Sequence, residues 1–267
     1  MFYNKYLVIG GNSLVGSELY NKLLNLKKNV KITTRRKNHK NRDLHFDLIS
    51  PNDLDIHNSI VYFCAAETNI SKCEKEPIIS NKINYINTVQ TIKNLLNKNC
   101  KIIYLSTQAV FSGQKNLCKE NDNKDPTCNY GIQKNKVEDE IISMKNVSII
   151  RLTKIFSKNQ GILSKWIESL ENKKKIEVFN DLYTCPISIN FVTNFLVNLK
   201  DDGIFHLSGD ERISYYDLIK KFCIINNLNI NLINDIKYKD SDKSIIYKPM
   251  YSVLGTCHKN KNNIQTL

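Results

Sequence analysis

The segment Tyr6-Leu7-Val8-Ile9-Gly10-Gly11-Asn12-Ser13-Leu14-Val15-Gly16 decides the fold of this 267-residue chain. A short apolar run ends at two glycines, and apolar residues then recur at helical spacing at Val15, Leu19, Leu23 and Leu26. A strand that turns through glycines directly into a helix is the first unit of a nucleotide-binding α/β sheet. The pattern therefore predicts that a Rossmann-like fold starts with this segment.

Strand and helix patterns alternate through the first part of the chain. Short apolar runs that predict further strands lie at residues 30–34, 44–48, 60–66, 102–105 and 147–152. Helical patterns separate these runs, and strands that alternate with helices form parallel sheets with right-handed crossovers. The predicted fold class is α/β, a Rossmann-like, doubly wound parallel sheet with a small C-terminal substrate-binding lobe.

Beyond residue 152 the alternation loosens. Helices are predicted at residues 162–170, 189–199 and 215–226, and strands at 176–179 and 203–207. No repeat and no Gly/Ser linker separates the two parts. We therefore expect residues 1–152 to form a Rossmann domain that binds a dinucleotide. Residues 153–267 should form mainly the substrate-binding lobe, interleaved with the core in a single compact body.

Composition and charge narrow the class of protein. Hydrophobic residues make up 41% of the sequence, which is enough for a substantial core. No apolar run approaches the roughly 20 residues of a membrane span, so we expect no membrane association. The eight cysteines form no C-x-x-C pair and have no histidine at ligand spacing, which favours a cytoplasmic location and no metal site. The net charge of +13 is spread along the chain and by itself favours neither nucleic acid nor phosphate-bearing substrates. Because the sequence contains no recognised nucleic-acid-binding module, we expect no nucleic-acid partner.

The turn at Gly10 is the first feature of the sequence that indicates a function. Gly10 suits a tight turn, and the helix that follows presents free N–H groups and a positive dipole end to a pyrophosphate. Gly16 would let this helix pack closely on the sheet, while Ser13 stands where the usual motif has its middle glycine. An ordinary strand-to-helix turn is the alternative interpretation.

The end of the second predicted strand indicates which dinucleotide binds. A carboxylate at this place would bind the ribose 2′-hydroxyl of NAD, but the sequence reads Thr33-Thr34-Arg35-Arg36-Lys37. Guanidinium groups bind a phosphate in a bidentate way, so the sequence favours NADP(H), with NAD(H) left open. A solvated basic loop is the alternative, since lysine and arginine are common throughout the chain.

The segment Tyr130-Gly131-Ile132-Gln133-Lys134 carries the catalytic signal. The four-residue spacing places Tyr130 and Lys134 on one face of a helix, and a nearby ammonium lowers the pKa of a phenol. Upstream, an apolar strand ends in the hydroxyl residues Ser106 and Thr107, at the edge of the sheet where ligands bind. A surface helix pair and a strand-end cap are the structural alternatives, but the ordered set favours an enzyme.

At these residues the sequence resembles the extended short-chain dehydrogenase/reductases, and within them the dTDP-4-dehydrorhamnose reductase group. Residues 106–113, STQAVFSG, are similar to the family's STDYVFDG, and Tyr130-Gly131 follows the family's acidic-then-proline approach to YGxSK. Further similar segments are Cys64-Ala65-Ala66-Glu67-Thr68, Asn84, residues 150–152, residues 178–186, residues 203–209 and residues 248–254. The resemblance covers nearly the whole chain.

The resemblance implies roles for individual residues. The catalytic residues would be Thr107, Tyr130 and Lys134. The cofactor-binding residues would be Gly10, Asn12, Ser13, Leu14, Val15, Gly16, Arg35, Arg36, Asp47, Leu48, Cys64, Ala65, Ala66 and Thr68, together with Tyr130 and Lys134. The substrate-binding residues would be Thr107, Gln108, Ala109, Val110 and Pro186. Gln108 and Ala109 replace an acidic and an aromatic residue, and Lys248 replaces an arginine, which leaves the identity of the sugar open.

The function that the sequence predicts is NADPH-dependent reduction of a keto group on a nucleotide-activated, 6-deoxy sugar. A sugar-nucleotide epimerase or dehydratase on the same scaffold is one alternative, although Gln108 lacks the carboxylate that a dehydratase needs. A non-catalytic, NADP-binding regulatory subunit is another. A nucleic-acid binder would rest on charge alone. The number of subunits stays open, with a homodimer as one expectation.

Overall fold

The computed structural model describes residues 3–35, 43–157, 161–240 and 249–258. Its strands are β1 Lys5–Ile9, β2 Asn29–Thr34, β3 Asp43–His45, β4 Ser59–Phe63, β5 Lys101–Thr107, β6 Val147–Leu152, β7 Ile176–Phe179, β8 Tyr183–Thr184, β9 Gly203–Leu207, β10 Ile213–Ser214, β11 Ile233–Ile236 and β12 Tyr251–Ser252. Its α-helices are α1 Leu14–Asn25, α2 Ile70–Lys75, α3 Pro77–Asn81, α4 Asn87–Asn97, α5 Asn129–Ile141, α6 Gly161–Glu171, α7 Ile189–Asn198 and α8 Tyr215–Ile225.

Seven parallel strands form the central sheet in the order β3-β2-β1-β4-β5-β6-β9. The chain leaves β1 towards one edge and returns through β4 towards the other, so the order reverses between β1 and β4. Ligands of open α/β sheets bind at such a reversal, beyond the carboxyl ends of the strands. The predicted fold class is confirmed.

Alternate residues of the central strands pack into two apolar layers, one on each face of the sheet. Leu7 and Tyr104 belong to the layer that also contains residues of α4 and α5, whereas Val8 and Ile103 belong to the layer of α1 and α7. Side chains of a strand alternate between the two faces of a sheet, so helices on both sides bury the whole length of β5. Thr107, a predicted catalytic residue, therefore lies at the end of a strand that is buried along its whole length.

A third apolar cluster lies in the C-terminal part of the chain. Most of its members come from α6, β7, α8 and β11, and they include Trp166, Val178 and Ile219. The helix α7 and the strand β9 also lie beyond residue 152, but they pack in the central sheet and its layers. Of the helices in the described residues, none has the length and apolar character needed to cross a membrane.

Two strands end earlier than the sequence predicts, and both endings open the edge of the sheet. The third predicted strand, residues 44–48, stops at His45, because Asp47 forms a turn in which its Oδ1 accepts from Ile49 N at 2.9 Å. The fourth, residues 60–66, stops at Phe63, although Cys64 N still donates to Ile9 O at 2.9 Å. The residues that follow each strand line a cavity instead of continuing the ladder.

Candidate active site

The turn from β1 to α1 requires glycine at two positions. Gly10 has a φ of +88°, and a Cβ there would lie 2.8 Å from the backbone of Ala65. A Cβ on Gly16 would lie 2.2 Å from the carbonyl oxygen of Gly10. Both substitutions would therefore push the turn away from the sheet. The close approach leaves the first turn of α1 directly above the carboxyl edge of β1.

Ser13 has a definite role in this turn. Its Oγ donates to Gly10 O at 2.8 Å and accepts from Gly16 N at 3.0 Å, so it caps α1 and braces the turn. The N–H groups of Leu14 and Val15 lie in the first turn, where an α-helix offers them no internal partner. A hydroxyl residue at the place of the middle glycine thus preserves an anion-binding helix start.

A cavity of about 510 Å³ opens in front of this turn. Eleven of the residues that the sequence analysis assigned to the cofactor line it: Gly10, Asn12, Ser13, Leu14, Arg35, Asp47, Leu48, Cys64, Ala65, Ala66 and Thr68. Val15 and Gly16 are buried behind the turn, and Tyr130 and Lys134 do not line the cavity. The prediction for Arg36 lies outside the described residues.

Other residues that line the cavity were not predicted from the sequence. They are Thr33, Thr34, Phe46, Glu67, Ile83, Ile155 and Gly161. Thr33 and Thr34 are the last residues of β2, directly before Arg35. Their hydroxyls accept hydrogen bonds from Gly10 N at 3.0 Å and from Asn12 Nδ2 at 2.8 Å, respectively. Ile155 and Gly161 follow β6, where the sequence contains no motif that indicates a contact with the cavity.

Besides the cation of Arg35, the cavity wall contains the carboxylate of Glu67. Burial raises the pKa of Glu67, but hydrogen bonds from Lys72 and Asn69 and the charges of Lys72 and Arg35 bring the pKa below its usual value. The ion pair of Lys72 Nζ with Glu67 Oε2 measures 2.9 Å. Lys72 therefore compensates the negative charge of Glu67, and Arg35 remains an exposed cation at the cavity wall.

Thr107 and Tyr130 meet where β5 ends and α5 begins. Thr107 Oγ1 accepts from Ala109 N and donates to Gln108 Oε1, both at 3.1 Å. Burial raises the pKa of Tyr130 above its usual value, nearby Cys73 and Cys128 add to the rise, and a hydrogen bond with Thr107 opposes it. The phenol consequently keeps its proton at neutral pH.

Gly131 allows this contact between β5 and α5. A Cβ at Gly131 would lie 2.1 Å from the carbonyl oxygen of Ala109, so any larger residue would move the start of the helix. Cys128 caps the same helix, with its Sγ accepting from Gly131 N at 3.5 Å. The position of Tyr130 relative to Thr107 thus depends on Gly131, which lies between the two predicted catalytic residues of the helix.

Lys134 lies one turn further along α5 and is 3% exposed. Burial lowers its pKa to about 7, while the charges of Glu138 and Cys64 act in the opposite direction. Its Nζ donates to Leu105 O at 2.6 Å. The prediction that Lys134 lowers the pKa of Tyr130 is wrong for this structure, because burial of the phenol outweighs the other influences on it.

The comparisons with known proteins agree with this geometry. Residues 4–266 match the family described as RmlD substrate binding domain. The chain belongs to this family. The spore coat polysaccharide biosynthesis protein SpsK of Bacillus subtilis is 25% identical over 201 residues, which are 73% of this chain and 70% of that protein. The dTDP-4-dehydrorhamnose reductase of Sinorhizobium fredii is 28% identical over 170 residues, 58% of this chain and 57% of that enzyme.

A solved structure shares the fold of this RmlD-family chain. The dTDP-4-dehydrorhamnose reductase of Bacillus anthracis, solved in complex with NADP, superposes with a TM-score of 0.82. The two chains are 19% identical, and the superposition covers 95% of this chain and 90% of the other. The likeness therefore extends over the central sheet and the C-terminal elements together.

The predicted substrate side of this RmlD-family protein is only partly accessible. Gln108 is half-buried beside Thr107, whereas Ala109, Val110 and Pro186 are buried. Val110 packs in a small apolar cluster at 0% exposure, so its side chain offers no surface to a ligand. Ala109, at 1% exposure, is equally inaccessible in this structure.

A buried ion pair joins α5 to β6. Arg151 and Glu138 are each 1% exposed, and Arg151 Nη2 donates to Glu138 Oε2 at 2.7 Å. Ser106 Oγ also donates to Glu138, at 2.5 Å. Arg151 Nη1 donates to Glu120 O at 3.3 Å and lies 3.1 Å from His206 Nε2. Removal of either partner would leave the other charge buried and unpaired, so a single substitution at Arg151 or Glu138 should destabilise the folded state.

One group within the described residues has the donor types of a metal site. The potential ligand atoms of Glu120, Cys257 and His258 lie within 4.8 Å of one another. Glu120 Oε1 accepts from Thr256 Oγ1 at 2.7 Å, and Oε2 accepts from Cys257 N at 2.8 Å. His258 Nε2 makes a hydrogen bond to Ile204 O at 2.9 Å. Because the Glu120 oxygens and His258 Nε2 bind groups of the chain itself, we assign the group to the docking of the C-terminal segment.

Proposed function

We propose that this protein reduces a keto group on a nucleotide-activated, 6-deoxy sugar with NADPH. The observation that carries the proposal is the placement of Thr107, Tyr130 and Lys134 at the carboxyl end of β5 and the start of α5. The dinucleotide cavity opens at the same edge of the sheet, beyond β1, β2 and β4. The names of the curated relatives, two of which are dTDP-4-dehydrorhamnose reductases, support this substrate class.

Tyr130 is the general acid of the proposed reaction. Its raised pKa keeps the phenol protonated at neutral pH, which is the state that a reduction requires at the carbonyl oxygen. NADPH, when bound, supplies the hydride. Thr107 orients the carbonyl oxygen beside the phenol, and Lys134 binds the nicotinamide ribose and supports the charge that develops on Tyr130. Positioned acids of this kind contribute about 100- to 10,000-fold in rate.

The residues present fit NADP(H). A side chain at Gly10 or Gly16 would block the turn, so the backbone can approach a pyrophosphate there. Arg35 is an exposed guanidinium at the end of β2, where the ribose 2′-phosphate would lie. Asp47 and Leu48 would lie near the adenine, and Ala65, Ala66 and Thr68 near the nicotinamide half. NAD(H) would leave Arg35 without an anionic partner from the ligand.

Net consumption of NADPH distinguishes the reductase from its alternatives. An epimerase or a dehydratase would keep its cofactor and recycle it, and a regulatory subunit would bind NADP(H) without turnover. The amide of Gln108 cannot act as the acid–base carboxylate of a dehydratase. These alternatives would share the fold and the cavity, so only turnover separates them from the reductase.

The wider organisation also belongs to this proposal. We place the cofactor in residues 1–152 and the sugar mainly against residues 153–267. Eight free cysteines support a reducing, cytoplasmic environment. A homodimer stays a prediction that analytical ultracentrifugation would test.

A thermal-shift panel followed by a turnover assay tests the proposed function. A ligand that binds the native state raises its stability, so NADPH should raise the melting temperature more than NADH does at equal concentration. dTDP-linked 4-keto-6-deoxy sugars should raise it further and should then oxidise NADPH stoichiometrically. A protein that binds neither nucleotide, or that leaves NADPH unchanged with every keto sugar, would contradict the proposal.

A further inference from the structure

Lys134 is a buried cation in an unusual setting. It is 3% exposed, and the ion pairs found among the described residues do not include it. Glu138, one helical turn further on, is instead paired with Arg151 and contacted by Lys124. A buried ammonium without a paired carboxylate needs other groups to compensate for lost hydration.

Two neighbours supply this compensation, and both belong to β5. Leu105 O accepts a hydrogen bond from Lys134 Nζ at 2.6 Å. The same nitrogen lies 4.0 Å from the centroid of the Tyr104 ring. The face of an aromatic ring carries partial negative charge, and its attraction for a cation is strongest when both are removed from water.

The hydroxyl of Tyr104 does not explain the presence of this residue. The ring is 0% exposed, and its hydroxyl oxygen finds no hydrogen-bond partner among the described residues. A buried, unpartnered hydroxyl is unfavourable, so any stabilising contact of this residue comes from its ring, which phenylalanine would share. The contact that the tyrosine does make with a functional group is the one between its ring face and Lys134.

We propose that Tyr104 is a positioning residue, whose ring face holds the Lys134 side chain in place and keeps it in the ammonium form. Its consequence for catalysis rests on the proposed function, because that function uses the Lys134 cation at the cofactor ribose. The contact with Lys134 itself does not depend on the reaction. Tyr104 thus acts through Lys134 and does not contact the reacting atoms.

The other titratable groups around Lys134 act from three elements. Glu138 and Cys64, on α5 and after β4, favour the charged form of Lys134. Burial raises the pKa of Tyr104 well above its usual value, and Tyr130, also on α5, and Glu138 add to the rise, so Tyr104 stays a neutral phenol. Arg151, on β6, binds Glu138 and reduces the influence of this carboxylate on Lys134. The ring of Tyr104 therefore adds its attraction for the Lys134 cation to that of Glu138, a carboxylate that also pairs with Arg151.

Titration of Lys134 tests the inference without the reaction. In protein with 13C-labelled lysine, the Lys134 signal, assigned by its loss in Lys134→Met, is followed by NMR between pH 5 and 10. The matched variants are Tyr104→Phe, which retains the ring face, and Tyr104→Leu, which removes it. Removing an interaction with the charged form lowers the pKa. We expect wild type and Tyr104→Phe to titrate alike, and Tyr104→Leu to titrate about one pH unit lower.

The pH profile of NADPH oxidation gives a second readout. The limb that reports Lys134 should move to lower pH in Tyr104→Leu and should return to its wild-type position in Tyr104→Phe. A general packing defect would lower the rate at every pH without moving this limb. Identical Lys134 titration in wild type and Tyr104→Leu would overturn the inference. The expected titration in a wild-type protein that never oxidises NADPH would uphold the contact and would refute the proposed function.

Fluorinated phenylalanines at residue 104 cover the case in which Tyr104→Leu does not fold. Each added fluorine withdraws electron density from the ring face while nearly preserving the ring's shape. A stepwise fall of the Lys134 pKa with fluorine number supports the inference, since the cation–π attraction is electrostatic. No trend across the series would overturn it.

Discussion

Asn84 Nδ2 donates a hydrogen bond to Gln133 Oε1 at 2.9 Å, and this bond joins α5 to the wall of the cofactor cavity. The two side chains are 1% and 2% exposed. Asn84 also exchanges two hydrogen bonds with the backbone of Glu67, at 2.8 and 2.9 Å, and Glu67 lines the cavity. Asn84 lies in a π-helical turn, Lys82–Ile86, and such turns often occur at functional sites.

Replacing Gln133 tests this connection. Gln133→Met keeps the length of the side chain but removes its bonds to Asn84 and to Ser80, the latter measuring 2.8 Å. An unsatisfied buried amide costs about 1–3 kcal/mol, so the free energy of unfolding should fall by that amount and NADPH should bind less tightly. Ser148→Ala is the control, since it removes a 2.7 Å bond to Asp201 O far from the cavity. Equal NADPH affinity in both variants would contradict the connection.

A methyl group at residue 131 should separate Tyr130 from Thr107. Gly131→Ala would place a Cβ 2.1 Å from Ala109 O, so the start of α5 must shift. We expect kcat to fall by at least about 100-fold, because misplacement by about 1 Å costs that much, while NADPH binding changes little. Ile132→Ala, at a residue that is 36% exposed on the same turn, is the control for helix stability. A Gly131→Ala enzyme with wild-type kcat would refute the close packing.

Cofactor choice should depend on Arg35. Arg35→Ala removes a charge-assisted contact to the 2′-phosphate, worth about 1.5–3 kcal/mol. The Kd for NADPH should therefore rise by about 10- to 100-fold, while the Kd for NADH stays nearly unchanged. Lys31→Ala, an exposed residue of β2, controls for the loss of net charge. Parallel weakening of both nucleotides would show that Arg35 does not distinguish them.

The stability that Glu120 contributes should depend on pH. Burial alone would raise its pKa, but hydrogen bonds from Cys257 N and Thr256 Oγ1 bring it from 4.5 to about 2. A carboxylate with a depressed pKa in the folded state stabilises that state above the unfolded value, and the contribution disappears as pH falls through the folded value. Glu120→Gln should cost up to about 3 kcal/mol at pH 7.

Urea denaturation between pH 7 and pH 2.5 measures this contribution. The difference in unfolding free energy between wild type and Glu120→Gln should be constant above about pH 5.5 and should shrink steadily below pH 4.5. Ser148→Ala provides a variant whose difference should not depend on pH. A constant difference for Glu120→Gln over the whole range would mean that its charge contributes nothing.

The local parts of the fold and the site are predictable from the sequence. The Gly10 turn, the ends of β6 and the four-residue spacing of Tyr130 and Lys134 depend on neighbours in the chain, and each appears in the structure as a turn, strand or helix. The early end of β3 depends on the turn that the Asp47 side chain forms, and the early end of β4 depends on the opening of the sheet edge. Hydrophobic periodicity indicates neither feature.

The electrostatic state of the site depends on distant contacts. Spacing alone suggests that Lys134 lowers the pKa of Tyr130, but burial by the surrounding elements dominates both groups. The pairing of Arg151 with Glu138 and the cation–π contact of Tyr104 also join residues of different elements. Ile155 and Gly161 line the cavity although they follow β6, which is separated from β1 in the sheet by β4 and β5. No local pattern encodes these contacts.

The most direct measurement is the rate of NADPH oxidation with a dTDP-linked 4-keto-6-deoxy sugar, compared between wild type and Tyr130→Phe. The variant removes the proton donor and keeps the ring, so NADPH should bind it with nearly wild-type affinity. We predict stoichiometric NADPH oxidation by wild type and a rate at least about 100-fold lower in Tyr130→Phe. Equal rates in the two proteins, or no NADPH oxidation by wild type, would contradict the assignment of this site as a ketoreductase.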